Sequence, residues 1–160
     1  MILFDFQYEK AQSLAEAAGL LAGLGPNARL MAGGTDLLPN MRVAVTRPAA
    51  VIGLGGIAPA APQVAADGSL RLDALTRLSA LTESALVRER WPMLTEAAHA
   101  VGSPQIREMG TLGGNLCQRP RCWYYRLENA KCLKKGGDEC FSYSGMSKYN
   151  AILGGGPSYI

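Results

Sequence analysis

No cysteine occurs before Cys117, so neither a disulfide nor a thiolate-bound metal belongs to the first two-thirds of the chain. Histidine is scarce too: His99 stands alone on an apolar helical stretch, where it reads as a surface or packed residue. No nucleophile–base–orienter set is visible, which removes triad-type covalent catalysis. Charge is sparse at 18% against 48% apolar residues, a balance that describes a globular chain rather than a disordered one. No apolar run approaches the ~20 residues needed to span a bilayer, so no membrane partner is expected. Met1-Ile2-Leu3-Phe4-Asp5 lacks the basic stretch and long apolar run of a secretory signal. A cytoplasmic location is therefore expected, with periplasmic export alongside a signal-bearing partner as the alternative. Internal repeats and low-complexity tracts are also missing.

What is present divides sharply. The 160 residues suit one domain or two small subdomains. A chain of this size buries roughly 70% of its unfolded surface and needs no metal staple to fold. The net charge is +3, yet the segment from Cys117 to Lys148 holds seven basic and three acidic residues, so the rest is close to neutral. That same segment holds all four cysteines.

Along the chain, Leu3 to Tyr8 alternates like a short strand, and Ser13-Leu14-Ala15-Glu16 is a capping box opening an Ala/Leu-rich helix. Gly25-Pro26 stops that helix. Arg29 to Ala32 reads as a strand, Leu37 to Val45 as a helix, and Ala50 to Leu54 as a compact apolar strand. Pro59 to Pro62 reads as a connection between subdomains, followed by an edge-like strand at Leu70–Asp73 and helices near Ser79–Glu89 and Pro92–Val101. Gly53-Leu54-Gly55-Gly56-Ile57-Ala58 matches a dinucleotide fingerprint in letters. That fingerprint works only where the turn opens a helix, and here prolines follow, so a strand-end turn is the better reading.

Two other glycine pairs carry more chemistry. Ala32-Gly33-Gly34-Thr35-Asp36 follows a strand, and Gly110-Thr111-Leu112-Gly113-Gly114-Asn115 repeats the design of small residues beside a hydroxyl. Paired glycines let the backbone approach a ligand, and successive N–H groups in such a turn form an anion-binding concavity. Two such turns suit a diphosphate gripped from two sides.

These two motifs resemble those of the FAD-binding (medium) subunits of molybdenum hydroxylases, the family of xanthine dehydrogenase and carbon monoxide dehydrogenase flavin subunits. Phe6, Tyr8, Ser13-Leu14, Val51–Ile57 and Ser103-Pro104-Gln105-Ile106-Arg107 extend the likeness over nearly the whole chain. The resemblance implies an α+β, two-subdomain FAD-binding module of the PCMH (vanillyl-alcohol-oxidase-like) type, not a Rossmann fold. It implies subdomains at 1–57 and 58–160, with Ala32, Gly33, Gly34, Thr35, Asp36, Thr111, Gly113, Gly114 and Asn115 at the FAD. It also implies a molybdenum-cofactor large subunit and a [2Fe-2S] small subunit as partners. Family subunits continue beyond residue 160, so the chain reads as shortened at its C-terminus.

The cysteines are spaced C-x4-C-x9-C-x7-C. Zinc fingers favour close pairs, and thiolates suit iron–sulfur clusters; from spacing alone a cluster, zinc and free thiols stand level. The wording Arg121-Cys122-Trp123-Tyr124-Tyr125-Arg126 and Cys132 to Cys140 resembles an insertion, here about 117–158, found in periplasmic aldehyde oxidoreductase and 4-hydroxybenzoyl-CoA reductase flavin subunits. There it binds an extra [4Fe-4S] cluster, which implies Cys122, Cys132 and Cys140 as ligands. Those proteins have a cysteine in the stretch matching Gly154–Ser158, where this chain has Ser158. Cys117 is the favoured fourth ligand; serine, another ligand, or an incomplete or absent cluster are the alternatives. Trp123, Tyr124 and Tyr125 read as cluster cover or interface rather than as a nucleobase platform, so no nucleic-acid partner is expected. The alternative function is a non-catalytic zinc- or cluster-bearing module that binds nucleic acid or protein.

Overall fold

The computed structural model describes residues 3–151, 153 and 156–158. The chain forms two compact units: Phe4–Leu38 with Pro48–Gln118, and the described residues of Met1–Leu3, Pro39–Arg47 and Arg119–Ile160.

The larger unit begins with β1 (Gln7–Lys10), α1 (Leu14–Leu24) and β2 (Ala28–Met31) and continues with β3 (Ala50–Gly53); α2 (Leu37–Arg42), between β2 and β3 in sequence, belongs to the smaller unit from Pro39 onward. β3 is the central strand, parallel to β1 on one side and β2 on the other. A strand with two neighbours and covered faces must be apolar throughout, and all four β3 residues are buried. β1 starts four residues later than the alternation suggests, because Gln7 is the first residue that finds a partner, opposite Ala50.

α1 lies on this sheet through small residues. Ala11, Ala17, Ala28 and Ala50 let the helix come close, while Leu20, Leu21 and Leu24 close over Ile52. Ser13 accepts from the Glu16 amide at 3.1 Å, as a capping box requires. The Glu16 carboxylate accepts from the Gln12 amide at 2.7 Å instead of from Ser13's, so the box closes one residue early. Gly25, at φ 75°, ends the helix in a conformation that disfavours a side chain.

No helix follows the glycines after β3; the chain runs instead to the hairpin of β4 (Gln63–Val64) and β5 (Leu70–Arg71). Gly53 lies under the Tyr8 hydroxyl, and a Cβ on Gly56 would stand 2.6 Å from the Ala11 carbonyl oxygen. These glycines serve packing. Ala60, inside the Pro/Ala stretch, donates to Asp73 at 3.2 Å, which ties that stretch into the larger unit.

Five short helices complete this unit: α3 (Leu78–Glu83), α4 (Ala85–Arg90), α5 (Pro92–His99), α6 (Pro104–Met109) and α7 (Leu112–Leu116). The single helix expected over Ser79–Glu89 is broken at Ser84, which turns extended and caps α4 through its hydroxyl. Leu78, Leu81, Val87 and Ala98 form the second core, separate from the α1–sheet cluster. The first cluster draws on residues up to 57 and the second on residues from 70 onward. Among the described residues no helix is long and apolar enough to cross a membrane.

In the smaller unit, the C-terminal segment forms α8 (Trp123–Arg126) and a 3-10 turn at Leu133–Lys135. Its core is Cys122, Tyr125 and Cys132 with Val45, Tyr124 and Phe141 packed against them.

Ile52, fully buried in β3, should cost about 2–5 kcal/mol when cut to alanine. Leu30, on β2 and 44% exposed, should cost about 1 kcal/mol or less in the same substitution. Thermal unfolding of Ile52→Ala and Leu30→Ala against the parent chain checks the ranking.

Candidate functional site

The first glycine loop leaves β2 and bends back at Gly34, whose φ of 71° favours glycine. Leu38 donates to the Gly34 carbonyl at 3.1 Å and so starts α2. Among the described residues, the backbone N–H groups of Gly33, Gly34 and Thr35 form no hydrogen bond within the chain. A Cβ on Gly33 would overlap the carbonyl oxygen of Met109. Here one backbone lies directly on another, some 76 residues apart in sequence. Thr35 approaches the same place: its hydroxyl would stand 3.5 Å from a Cβ on Gly110.

The second glycine pair is not an open turn. Thr111 is the N-cap of α7, its hydroxyl accepting from Gly114 at 3.1 Å. Leu112 donates to Thr76 and Gly113 to Ala74, both at 2.8 Å, while Asn115 donates to the Thr111 carbonyl at 2.9 Å. Thus the amides at 112–115 are committed inside the protein. Gly113 is needed for close packing, since a Cβ there would meet Ala74 at 2.9 Å. Leu78 donates to the Gly110 carbonyl at 3.0 Å, and Arg77 pairs with Thr111 in an isolated bridge. The region is therefore braced on residues 74–78, which the sequence did not single out. The structure brings Gly33 and Thr35 to the start of this element, at Met109–Gly110, rather than to Gly113–Gly114.

Arg107 does structural work here. Its Nη1 donates to the carbonyls of His99, Val101 and Gly102 at 3.0, 3.1 and 3.4 Å, closing the end of α5. His99 itself is exposed.

The smaller unit gathers three of the four cysteines. Cys122, Cys132 and Cys140 are 5%, 4% and 9% exposed and line one narrow cavity with Tyr124, Phe141, Lys134 and Ser158. Gly136 (φ 83°) and Gly137 make the tight loop that brings Cys140 back toward Cys132; a Cβ on Gly137 would overlap the Lys131 carbonyl. Leu133 donates to the Glu139 carbonyl at 2.8 Å and closes that loop. Cys117 is exposed, belongs to the larger unit, and is not among the residues lining the cavity. Among the described residues, no three His, Cys, Asp or Glu side chains are grouped to hold a single metal ion.

The Cys122 thiol is pulled below its ordinary pKa. Burial alone would raise it, but the Ser142 hydroxyl, the Tyr125 and Tyr124 amides and Asn150 together outweigh that effect. Ser142 and Asn150, themselves hydrogen-bonded to each other, were not foreseen; isolated polar residues in a loop carry no spacing signal.

A family profile described as "FAD binding domain in molybdopterin dehydrogenase" matches residues 4–122. The chain belongs to this family. It is 37% identical over 150 residues to the aldehyde oxidoreductase FAD-binding subunit PaoB of Escherichia coli K12, covering 93% of this chain and 47% of that one. It is 38% identical over 117 residues to the carbon monoxide dehydrogenase medium chain of Hydrogenophaga pseudoflava, covering 72% and 40%. Among solved structures, the Hydrogenophaga carbon monoxide dehydrogenase superposes with a TM-score of 0.65 at 34% identity, over 72% of this chain and 40% of that one. Quinoline 2-oxidoreductase from Pseudomonas putida 86 gives the same TM-score at 29% identity, with the same coverage. The chain thus spans less than half the length of these relatives and shares a mixed α/β architecture with them.

Thr111→Ala should lower stability by about 1 kcal/mol through loss of the α7 cap, whereas Thr111→Ser should nearly preserve it; thermal melts read the difference. Ser142→Ala removes the first of the groups that stabilise the Cys122 thiolate, so the thiol should titrate at higher pH than in the parent chain. The ¹³Cβ shift of Cys122 followed against pH in reduced protein measures that displacement.

Proposed function

We propose that this chain is the FAD-binding part of an electron-transfer subunit of a molybdenum-containing hydroxylase, built as a PCMH-type module with subdomains at 1–57 and 58–160. The observation that carries the reading is the meeting of Gly33 with Met109–Gly110 beside three uncommitted amides. A diphosphate needs N–H donors at a place where backbone is bare, and the first loop has both. Gly33, Gly34 and Thr35 are the donors, with Ala32 and Asp36 flanking them. Thr111, Gly113, Gly114 and Asn115 hold the facing element in shape, because their own amides are already used.

Bound FAD would supply electron transfer between iron–sulfur centres of a partner and an external acceptor. The chain's part is to grip the diphosphate and orient the cofactor. Substrate oxidation belongs to a molybdenum-cofactor large subunit, with a [2Fe-2S] small subunit between. Basic residues around the cysteine segment suit an acidic partner face.

The cysteine segment is read as the site of an additional [4Fe-4S] cluster. An alignment of 150 residues within a chain of 160 necessarily runs past Cys140, so the likeness to PaoB takes in the whole cysteine run, whereas the 117-residue matches are too short to do so together with the rest of the chain. A single zinc ion asks all its donors to converge within about 2.3 Å of one point. A cluster places each thiolate on a different iron, which suits buried thiols spread around a cavity. The cavity is tight, with room for about one water molecule, so holding a cluster requires the loops at 131–142 to part.

Anaerobic purification with added FAD, iron and sulfide tests both cofactors by absorption spectrum and metal analysis. Flavin bands with iron and sulfide are expected; a colourless protein with stoichiometric zinc would overturn the reading in favour of a non-catalytic module. Gly33→Ala should weaken FAD binding about tenfold or more, roughly 1.4 kcal/mol, by pushing the loop off Met109, with secondary structure checked by circular dichroism. Unchanged affinity in a folded Gly33→Ala chain would count against the diphosphate site.

A further inference from the structure

The amides of Gly33, Gly34 and Thr35 offer a diphosphate only partial positive charges. Acidic side chains border them as well: Asp36 follows Thr35, and Glu108 precedes the Met109 that lies on Gly33. Such a place calls for a full positive charge. We propose that Arg77 supplies it, its guanidinium binding the FAD diphosphate from the Met109–Gly110 side. This inference deepens the FAD reading above and rests on it.

Arg77 is fixed at this place by its backbone. It pairs with Thr111 in the isolated bridge, and its neighbour Leu78 donates to the Gly110 carbonyl at 3.0 Å. Gly110 is the residue that the Thr35 hydroxyl approaches. The charged end of Arg77 reaches the same element, its Nη1 standing 3.9 Å from Oε2 of Glu108. That pair is loose, with the two side chains 61% and 58% exposed, so a phosphate can take the place of Glu108 at little cost. Two other arginines on neighbouring elements are already engaged. Arg29 on β2 donates to the Pro26 and Ala28 carbonyls, both at 2.7 Å, and Arg107 on α6 is turned onto three carbonyls. Nor does the helix account for Arg77. It is the N-cap of α3, a position that favours serine, threonine, asparagine or aspartate, and its side chain makes no cap bond. An arginine fork matches phosphate oxygens two at a time, which suits a group meant to fix a diphosphate in one orientation.

FAD, and riboflavin as the flavin without a diphosphate, are titrated calorimetrically into the full chain. The proteins are the parent, Arg77→Gln, Arg77→Lys, Glu108→Gln and Arg88→Gln, with folding checked by circular dichroism. Arg77→Gln should weaken FAD binding about tenfold or more, and Arg77→Lys by less, because lysine keeps the charge without the fork. Glu108→Gln should tighten FAD binding about twofold or more, since it removes a carboxylate that competes for Arg77. Arg88→Gln, which removes an exposed arginine on α4, should leave FAD binding as in the parent, and riboflavin affinity should not differ among the proteins. FAD binding in Arg77→Gln equal to that in Arg88→Gln, an equal loss for riboflavin, or weaker FAD binding in Glu108→Gln overturns the assignment while leaving the FAD site standing. A parent chain that binds FAD no more tightly than riboflavin overturns the diphosphate site itself. Glu108→Gln is expected to gain affinity, so the test survives even where Arg77→Gln fails to fold.

Discussion

Two stretches of main chain lie against each other at Gly33 and Met109 with nothing between them, and the site depends on that contact. A Cβ on Gly33 would overlap the Met109 carbonyl, so any other residue separates the β2 loop from the end of α6. The contact also explains the supports around it. α6 is started by the Ser103 hydroxyl and Pro104, Arg107 gathers the end of α5, and the bonds from Leu78 to the Gly110 carbonyl and from Leu112 to the Thr76 carbonyl tie the next residues to the segment before α3. Each places Met109–Gly110 where bare backbone can meet it.

The two glycine pairs look alike in letters and differ in use. In the first, Gly34 takes a left-handed turn and the neighbouring amides stay uncommitted, so the loop offers donors. In the second, a threonine caps a helix and glycine serves close packing against Ala74. A hydroxyl three residues before an amide is cap chemistry as well as ligand chemistry, and the fold selects the former for Thr111.

The cysteine segment follows another logic. Its loops are short and closed by backbone hydrogen bonds, and its core is made of thiols and aromatics with a single aliphatic side chain named in it, Val45. Tyr124 packs on Phe141 with the rings tilted and 5.7 Å between centroids, and its hydroxyl accepts from the Met146 amide at 2.7 Å. Arg119 donates to the Tyr125 hydroxyl at 2.8 Å, so part of the positive charge of this segment is spent on holding its own core. The exposed Arg47–Glu128 pair at 2.8 Å adds little stability, given its solvent access.

Much of the framework was legible in the residues alone. The apolar run Ala50–Gly53, the Ser13 cap, the Gly25 stop and the absence of a helix after Gly53 each follow from local rules of period, capping and turn chemistry, and the glycine motifs carried the family. Local rules could not place β1's first residue or the commitment of the Leu112 and Gly113 amides, because each depends on a partner far away in sequence. The same holds for the thiols: spacing left cluster, zinc and free cysteine level, and only folding set three of them around a cavity with Ser158. Short-range chemistry is written in neighbouring letters, whereas which donors remain free is decided by what the rest of the chain brings against them.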